Sequence, residues 1–92
     1  MELLEGIHDR TSDTATLDEA FRSSLGLTDD VELQTAAYGR TAEWDSVAHM
    51  QLVAGIERAF GIMIETDDVI AMSSYPIVQQ ILASRYDLVF DA

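Results

Sequence analysis

Apolar residues recur at helical spacing in several separate stretches of this chain, and nowhere do they alternate with polar ones for long. Between Thr14 and Leu25 the apolar positions are Leu17, Ala20, Phe21 and Leu25. That spacing is one face of a helix, and Gly26 follows as a stop signal. Residues 46–60 carry the clearest pattern: His49, Leu52, Val53, Ile56 and Phe60 stack at intervals of three and four. Asp45 or Ser46 caps that helix and Gly61 ends it. Asp67 and Asp68 suit the start of a short helix bearing Val69, Ile70 and Met72. A last helix starts around Ser74, with Pro76 tolerated in its first turn. Its expected apolar face is Ile77, Ile81 and Leu82, with Val78 beside it. The lack of sustained period-2 alternation predicts an all-α fold.

Between the first two helices lies a long connection, "LTDDVELQTAAYGRTAEWD". Loops of that length are usually functional or packed by their own side chains. Val31, Leu33, Tyr38 and Trp44 are the expected packing groups. The expected organisation is a loosely organised lead-in over residues 1–13, one domain over 14–85 and a tail over 86–92. In the tail, Leu88, Val89 and Phe90 are candidates for packing back.

Composition sharpens this picture. Ninety-two residues make one domain near the lower end of what folds alone, and 48% hydrophobic residues suffice for one core. No apolar run approaches a membrane span, and "MELLEGIHDR" has acids where a signal peptide has bases. A soluble, cytoplasmic protein is expected. There is no cysteine, hence no disulfide and no thiolate metal site. Seventeen acids stand against five arginines and no lysine, a net charge of −12. Such a field repels nucleic acid and anionic lipid, and favours partners with basic docking surfaces. It also simply keeps a small protein soluble.

The helix over 46–60 has more apolar surface than one core face needs. Val47, Met50 and Ala54 form a second stripe that begins beside Ser46. A surplus stripe of this kind marks either a contact surface or a helix buried on most sides. Ser46 itself has three readings. It is a plain cap, as serine often is. It is a nucleophile, which needs a base and an orienting group. His49 is the nearest candidate base, but it sits at the edge of the core stripe and no G-x-S-x-G elbow is present. A partly buried core histidine is the plainer reading, and no residue is assigned a catalytic role. Or Ser46 is an attachment point for a phosphate ester, since a helix N-terminus offers unpaired N–H groups and a positive dipole end. The stretch "ETDDVIAMSS" lacks the alternating ligands, central glycine and closing glutamate of an EF-hand, and no metal site is assigned.

The ordered set "WDS", "VAHMQLVAGIERAFGIMI", "TDDVIAM" and "SSYPIVQQIL" resembles the acyl carrier protein family from about Thr14 to Arg85. The resemblance implies a four-helix bundle with a long first loop and a short third helix. It implies that Ser46 carries 4′-phosphopantetheine, transferred from coenzyme A by a phosphopantetheinyl transferase. The arm's thiol then holds acyl groups as thioesters. Asp45 matches the acid before the modified serine. Val47, Met50 and Ala54 match partner-facing positions and Glu57 a docking acid; Asp67 and Asp68 are further candidates for docking. The implied partners are the transferase, an acyl-loading enzyme, and acyltransferase- or ketosynthase-type enzymes, and a monomer is expected. Carriers of fatty-acid synthesis usually have several acids along the second helix, whereas here Ala48, Gln51, Arg58 and Ala59 leave Glu57 nearly alone. The Trp before Asp-Ser looks more like stand-alone carriers of polyketide or related secondary metabolism. The alternatives are an aminoacyl or peptidyl carrier, whose Gly-Gly-His-Ser style wording is missing here, and an unmodified helical adaptor of the same fold.

Overall fold

The computed structural model describes the backbone of residues 2–90 and the side chains of residues 13–90. Among the described residues four α-helices carry the fold: α1 (Glu2–Leu25), α2 (Ser46–Phe60), α3 (Thr66–Ala71) and α4 (Tyr75–Arg85). A 3-10 turn at Leu33–Thr35 interrupts the connection between α1 and α2. Among the described residues there is no β-strand, only an isolated antiparallel bridge between Ala37 and Ser74. None of the described helices is long and apolar enough to cross a membrane.

Helix α1 begins well before Thr14, so the backbone of the expected lead-in is helical from Glu2. Residues 2–13 contain no proline and a single glycine, so nothing blocks a helix already nucleated by the packed turns at 14–25. The side chains of residues 1–12 lie outside the described residues. The stop signals at Gly26 and Gly61 are both left-handed, with φ of 67° and 66°. Gly61 closes α2 by donating its N–H to the Glu57 carbonyl. A Cβ in that conformation costs about 1–2 kcal/mol, which is why glycine sits there.

The core forms where α1 and α2 meet. Leu17, Ala20, Phe21 and Leu25 of α1 bury against Leu52, Val53 and Ile56 of α2. Phe21 is its aromatic centre, edge-on to Trp44 at 5.3 Å and to Tyr75 at 5.0 Å. The first loop packs by its own side chains: Leu33 and Trp44 are buried and Val31 leans on the core. Tyr38 departs from expectation and stays 45% exposed. Backbone bonds stitch that loop to the α3–α4 connection, from Tyr38 N–H to Ser73 O and from Tyr75 N–H to Ala36 O.

Helix α4 keeps Leu82 buried and Ile81 packed on the core as expected, and departs from the expected face only at Ile77. Tyr75, Val78 and Leu82 are its buried residues, while Ile77 points out. Apolar residues surround this helix, so spacing leaves its rotation open; a polar contact selects it. The Tyr75 hydroxyl donates to the Asp18 carboxylate on α1 and accepts from Gln79 Nε2 at 3.2 Å. Burial pushes the Tyr75 phenol far above its usual range, and the bond to Asp18 adds to that. Tyr75→Phe strands two polar partners, and is expected to cost about 1–3 kcal/mol in urea denaturation. A loss below about 0.5 kcal/mol would show that the contact is idle.

The short helix α3 is tied to α4 through Asp68. Its carboxylate accepts from Tyr86 OH at 2.6 Å and Arg85 Nε at 2.8 Å. Those two hydrogen bonds, Tyr86 first and Arg85 second, hold Asp68 below the usual carboxylate range. A depressed folded value means that the stabilisation is complete above the unfolded value of about 3.9 and is lost as pH falls below it. Between pH 5 and pH 2 the wild type is therefore expected to lose more stability than Asp68→Asn; parallel curves would contradict the linkage. The tail returns to the core as expected for Leu88 and Phe90, the latter edge-on to Phe60 at 6.4 Å. Val89 stays exposed while its N–H donates to Asp13 at 3.0 Å.

Candidate functional site

The N-terminus of α2 divides two tasks between adjacent residues. Asp45 is the cap: its backbone is extended, at φ −105° and ψ −171°, and Oδ1 accepts from Ala48 N–H at 2.9 Å. Ser46 is therefore the first helical residue, exposed, with its hydroxyl released from capping. Among the described residues that hydroxyl has no hydrogen-bond partner, and the N–H groups of Ser46 and Val47 have no acceptor. Free donors at the positive end of a 15-residue helix suit an anionic ester on Ser46.

His49 is not placed to activate that hydroxyl. Trp44 Nε1–H donates to His49 Nδ1 at 2.9 Å, and His49 Nε2 meets the Val69 carbonyl oxygen at 2.8 Å. An indole N–H only donates, so Nδ1 accepts and the ring proton lies on Nε2. Both nitrogens are occupied, and the imidazole stacks on Trp44 with centroids 6.0 Å apart. The reading of His49 as a satisfied, half-buried histidine agrees with its position.

The second stripe of α2 lies at the surface. Val47 is 66% and Met50 59% exposed, with Ala54 half-buried beside them. Together with Ser46 and Gln51 they line a shallow groove. On the other side of Ser46 opens a largely apolar cleft of about 390 Å³. Helix α2 supplies Ser46, His49 and Met50 to it, α3 supplies Val69 and Ile70, and the first loop supplies Tyr38.

The expected docking acids divide three ways. Asp67 is exposed on the first turn of α3. Glu57 is half-buried, and its Oε2 accepts from Ile64 N–H at 2.9 Å, bracing the α2–α3 connection. Asp68 requires a correction: it is only 7% exposed and its carboxylate is occupied by Arg85 and Tyr86, so it anchors α3 instead of facing a partner. Residues 66–71 form helix α3. Ile70, expected on this helix without an assigned face, is 75% exposed and lines the cleft. A six-residue helix has too few turns for spacing to reveal its inward face.

Comparison of the chain with protein-family models, curated proteins and solved structures finds no match. The functional reading is carried by the geometry around Ser46 and by the motif resemblance.

Proposed function

We propose that the protein is a non-catalytic acyl carrier of the polyketide or secondary-metabolite type, with 4′-phosphopantetheine borne on Ser46. The observation that carries this reading is the division of labour at α2: Asp45 caps, and Ser46 presents an unengaged hydroxyl beside free backbone donors. A hydroxyl that only capped the helix would be bound to it. A nucleophile would have a free base within reach, and His49 has none of its nitrogens free.

In the loading step, Ser46 Oγ attacks the phosphorus of coenzyme A that bears the pantetheine. A new P–O bond forms, the diphosphate P–O bond breaks, and adenosine 3′,5′-bisphosphate leaves. The hydroxyl proton passes to the transferase. The chain's part is to hold the hydroxyl in the open and to present an apolar face around it. The added phosphodiester then sits at a helix N-terminus, where the dipole favours negative charge. The arm keeps its cargo at high effective concentration near each partner site. Docking through a surface of net charge −12 is weakened by salt, which lets the carrier leave again.

Asp45 positions the serine, Val47, Met50 and Ala54 form the docking face with Ile70, and Asp67 and Glu57 supply charge at its edge. Val47→Asp and Met50→Asp are each expected to raise the transferase KM by about tenfold, the effect of losing a buried apolar anchor. Folding stability should change by no more than about 0.5 kcal/mol, because both side chains face solvent. Unfolding by either variant would place that stripe in the core. The reading as a whole is tested by thiol titration. The chain contains no cysteine, so incubation with coenzyme A, Mg²⁺ and a broad-specificity phosphopantetheinyl transferase should take it from no thiol to one per chain. A count that stays at zero with a demonstrably active transferase would favour an unmodified helical adaptor.

A further inference from the structure

We infer that His49 is a positioning residue: a neutral, two-ended strut that fixes α3 against α2 and so sets the cleft and the docking face beside Ser46. Helix α3 has six residues, too few to be stable alone. Its apolar anchoring is thin: Val69 is only half-buried, Ile70 faces solvent, and Met72 just beyond the helix is the buried contact. Its position therefore depends on polar ties. One tie runs to α4 through Asp68. A second runs to α2 through His49, whose Nε2–H reaches the Val69 carbonyl oxygen within the helix, while Glu57 and Tyr86 hold the Ile64 and Glu65 N–H groups just ahead of it.

The far end of the strut is rigid. Trp44 is fully buried and its indole N–H holds His49 Nδ1. Trp44 is in turn wedged against Phe21, so the imidazole is referenced to the α1 core. Tyr38 closes the exposed side of the ring, edge-on at 5.4 Å. A ring fixed at both nitrogens and on its flank cannot rotate without breaking a bond. Because His49 lines the cleft between the Met50 wall and the Val69–Ile70 wall, the length of the strut sets their separation. The strut holds independently of any function; its effect on loading rests on the carrier reading.

The first test uses the wild-type, fully ¹⁵N-labelled chain at pH 8. Long-range ¹⁵N–¹H spectra are expected to show His49 protonated on Nε2 and bare on Nδ1. A ring protonated on Nδ1 overturns the strut. Two variants then cut the ends separately. An asparagine oxygen occupies the place of Nδ1 and can accept from Trp44, but it falls short of Val69. A glutamine amide nitrogen occupies the place of Nε2 and can reach Val69, but it offers Trp44 no acceptor. His49→Asn is expected to speed amide exchange at Val69 and Met72 by about tenfold while keeping the Trp44 indole proton protected. His49→Gln is expected to show the reverse. A role in packing alone would loosen both ends together in both variants, and that result overturns the strut. With the transferase, the KM for Ser46 should rise several-fold in His49→Asn, which frees α3 from α2, and by less in His49→Gln, which keeps that bond. If wild-type Ser46 accepts no arm, the loading half of the inference falls with the carrier reading, while the exchange pattern still decides the strut.

Discussion

Ser46→Ala is expected to abolish loading completely while leaving the fold intact. The hydroxyl is the group on which the proposed phosphodiester forms; the Ser73 hydroxyl shares the cleft but does not open a helix. Thr66 also opens a helix whose cap makes no side-chain bond, but that helix has six residues against fifteen in α2. The structural cost should be small, within about 0.5 kcal/mol, because the cap belongs to Asp45. Asp45→Ala is the informative contrast. It removes the acceptor for Ala48 N–H and should cost about 1 kcal/mol of helix stability, with the Ser46 hydroxyl still present. Circular dichroism and urea denaturation of both variants separate the two roles. If Ser46→Ala unfolded the domain, the serine would be structural.

Trp44→Ala should have the largest effect on stability. Trp44 is fully buried, meets Phe21 edge-on at 5.3 Å and donates to His49. Truncating a buried aromatic of this size costs about 3–5 kcal/mol. Small domains have only about 5–15 kcal/mol in total, so the variant should lose a large part of its stability and melt well below wild type. Trp44→Phe keeps most of the volume and removes the indole N–H, so it should retain the fold and lose the tie to His49. A Trp44→Ala domain within about 1 kcal/mol of wild type would mean that the first loop is not part of the core. The residue two positions before the proposed attachment site would then have no structural role in holding it.

Helices were most legible where length and amphipathicity combined. The pattern over 46–60 matched α2 at both ends, because Asp45, Ser46 and Gly61 are strong boundary residues. The buried face of α1 was likewise readable from Leu17, Ala20, Phe21 and Leu25. Legibility failed where an element was short or apolar all round. Nothing in the spacing of α4 distinguishes Ile77 from Val78, and a hydrogen bond from Tyr75 to a helix 57 residues away in sequence settled its rotation. Asp68 looked like one more surface acid among many, and its burial depends on Arg85 and Tyr86, which no local pattern connects to it.

At the site, Ser46, Asp45, Val47 and Met50 were readable because all lie on one strongly patterned helix. The Trp44–His49–Val69 chain was not, since it joins a loop, α2 and α3. Tyr38 was expected in the packing and lies at the surface instead, where with Ile70 it completes the cleft. Surface positions in a loop and in a six-residue helix are assigned by tertiary contacts, and local periodicity is silent about those.

The central claim is that Ser46 is an attachment point, and intact-mass analysis with fragment mapping tests it most directly. The wild-type chain is incubated with coenzyme A, Mg²⁺ and a broad-specificity phosphopantetheinyl transferase, with a carrier of known competence as control. The account predicts a gain of one phosphopantetheine, mapped by fragmentation to Ser46 and absent from Ser46→Ala. An unchanged mass beside a fully converted control, or a modification mapped to any other residue, would contradict it.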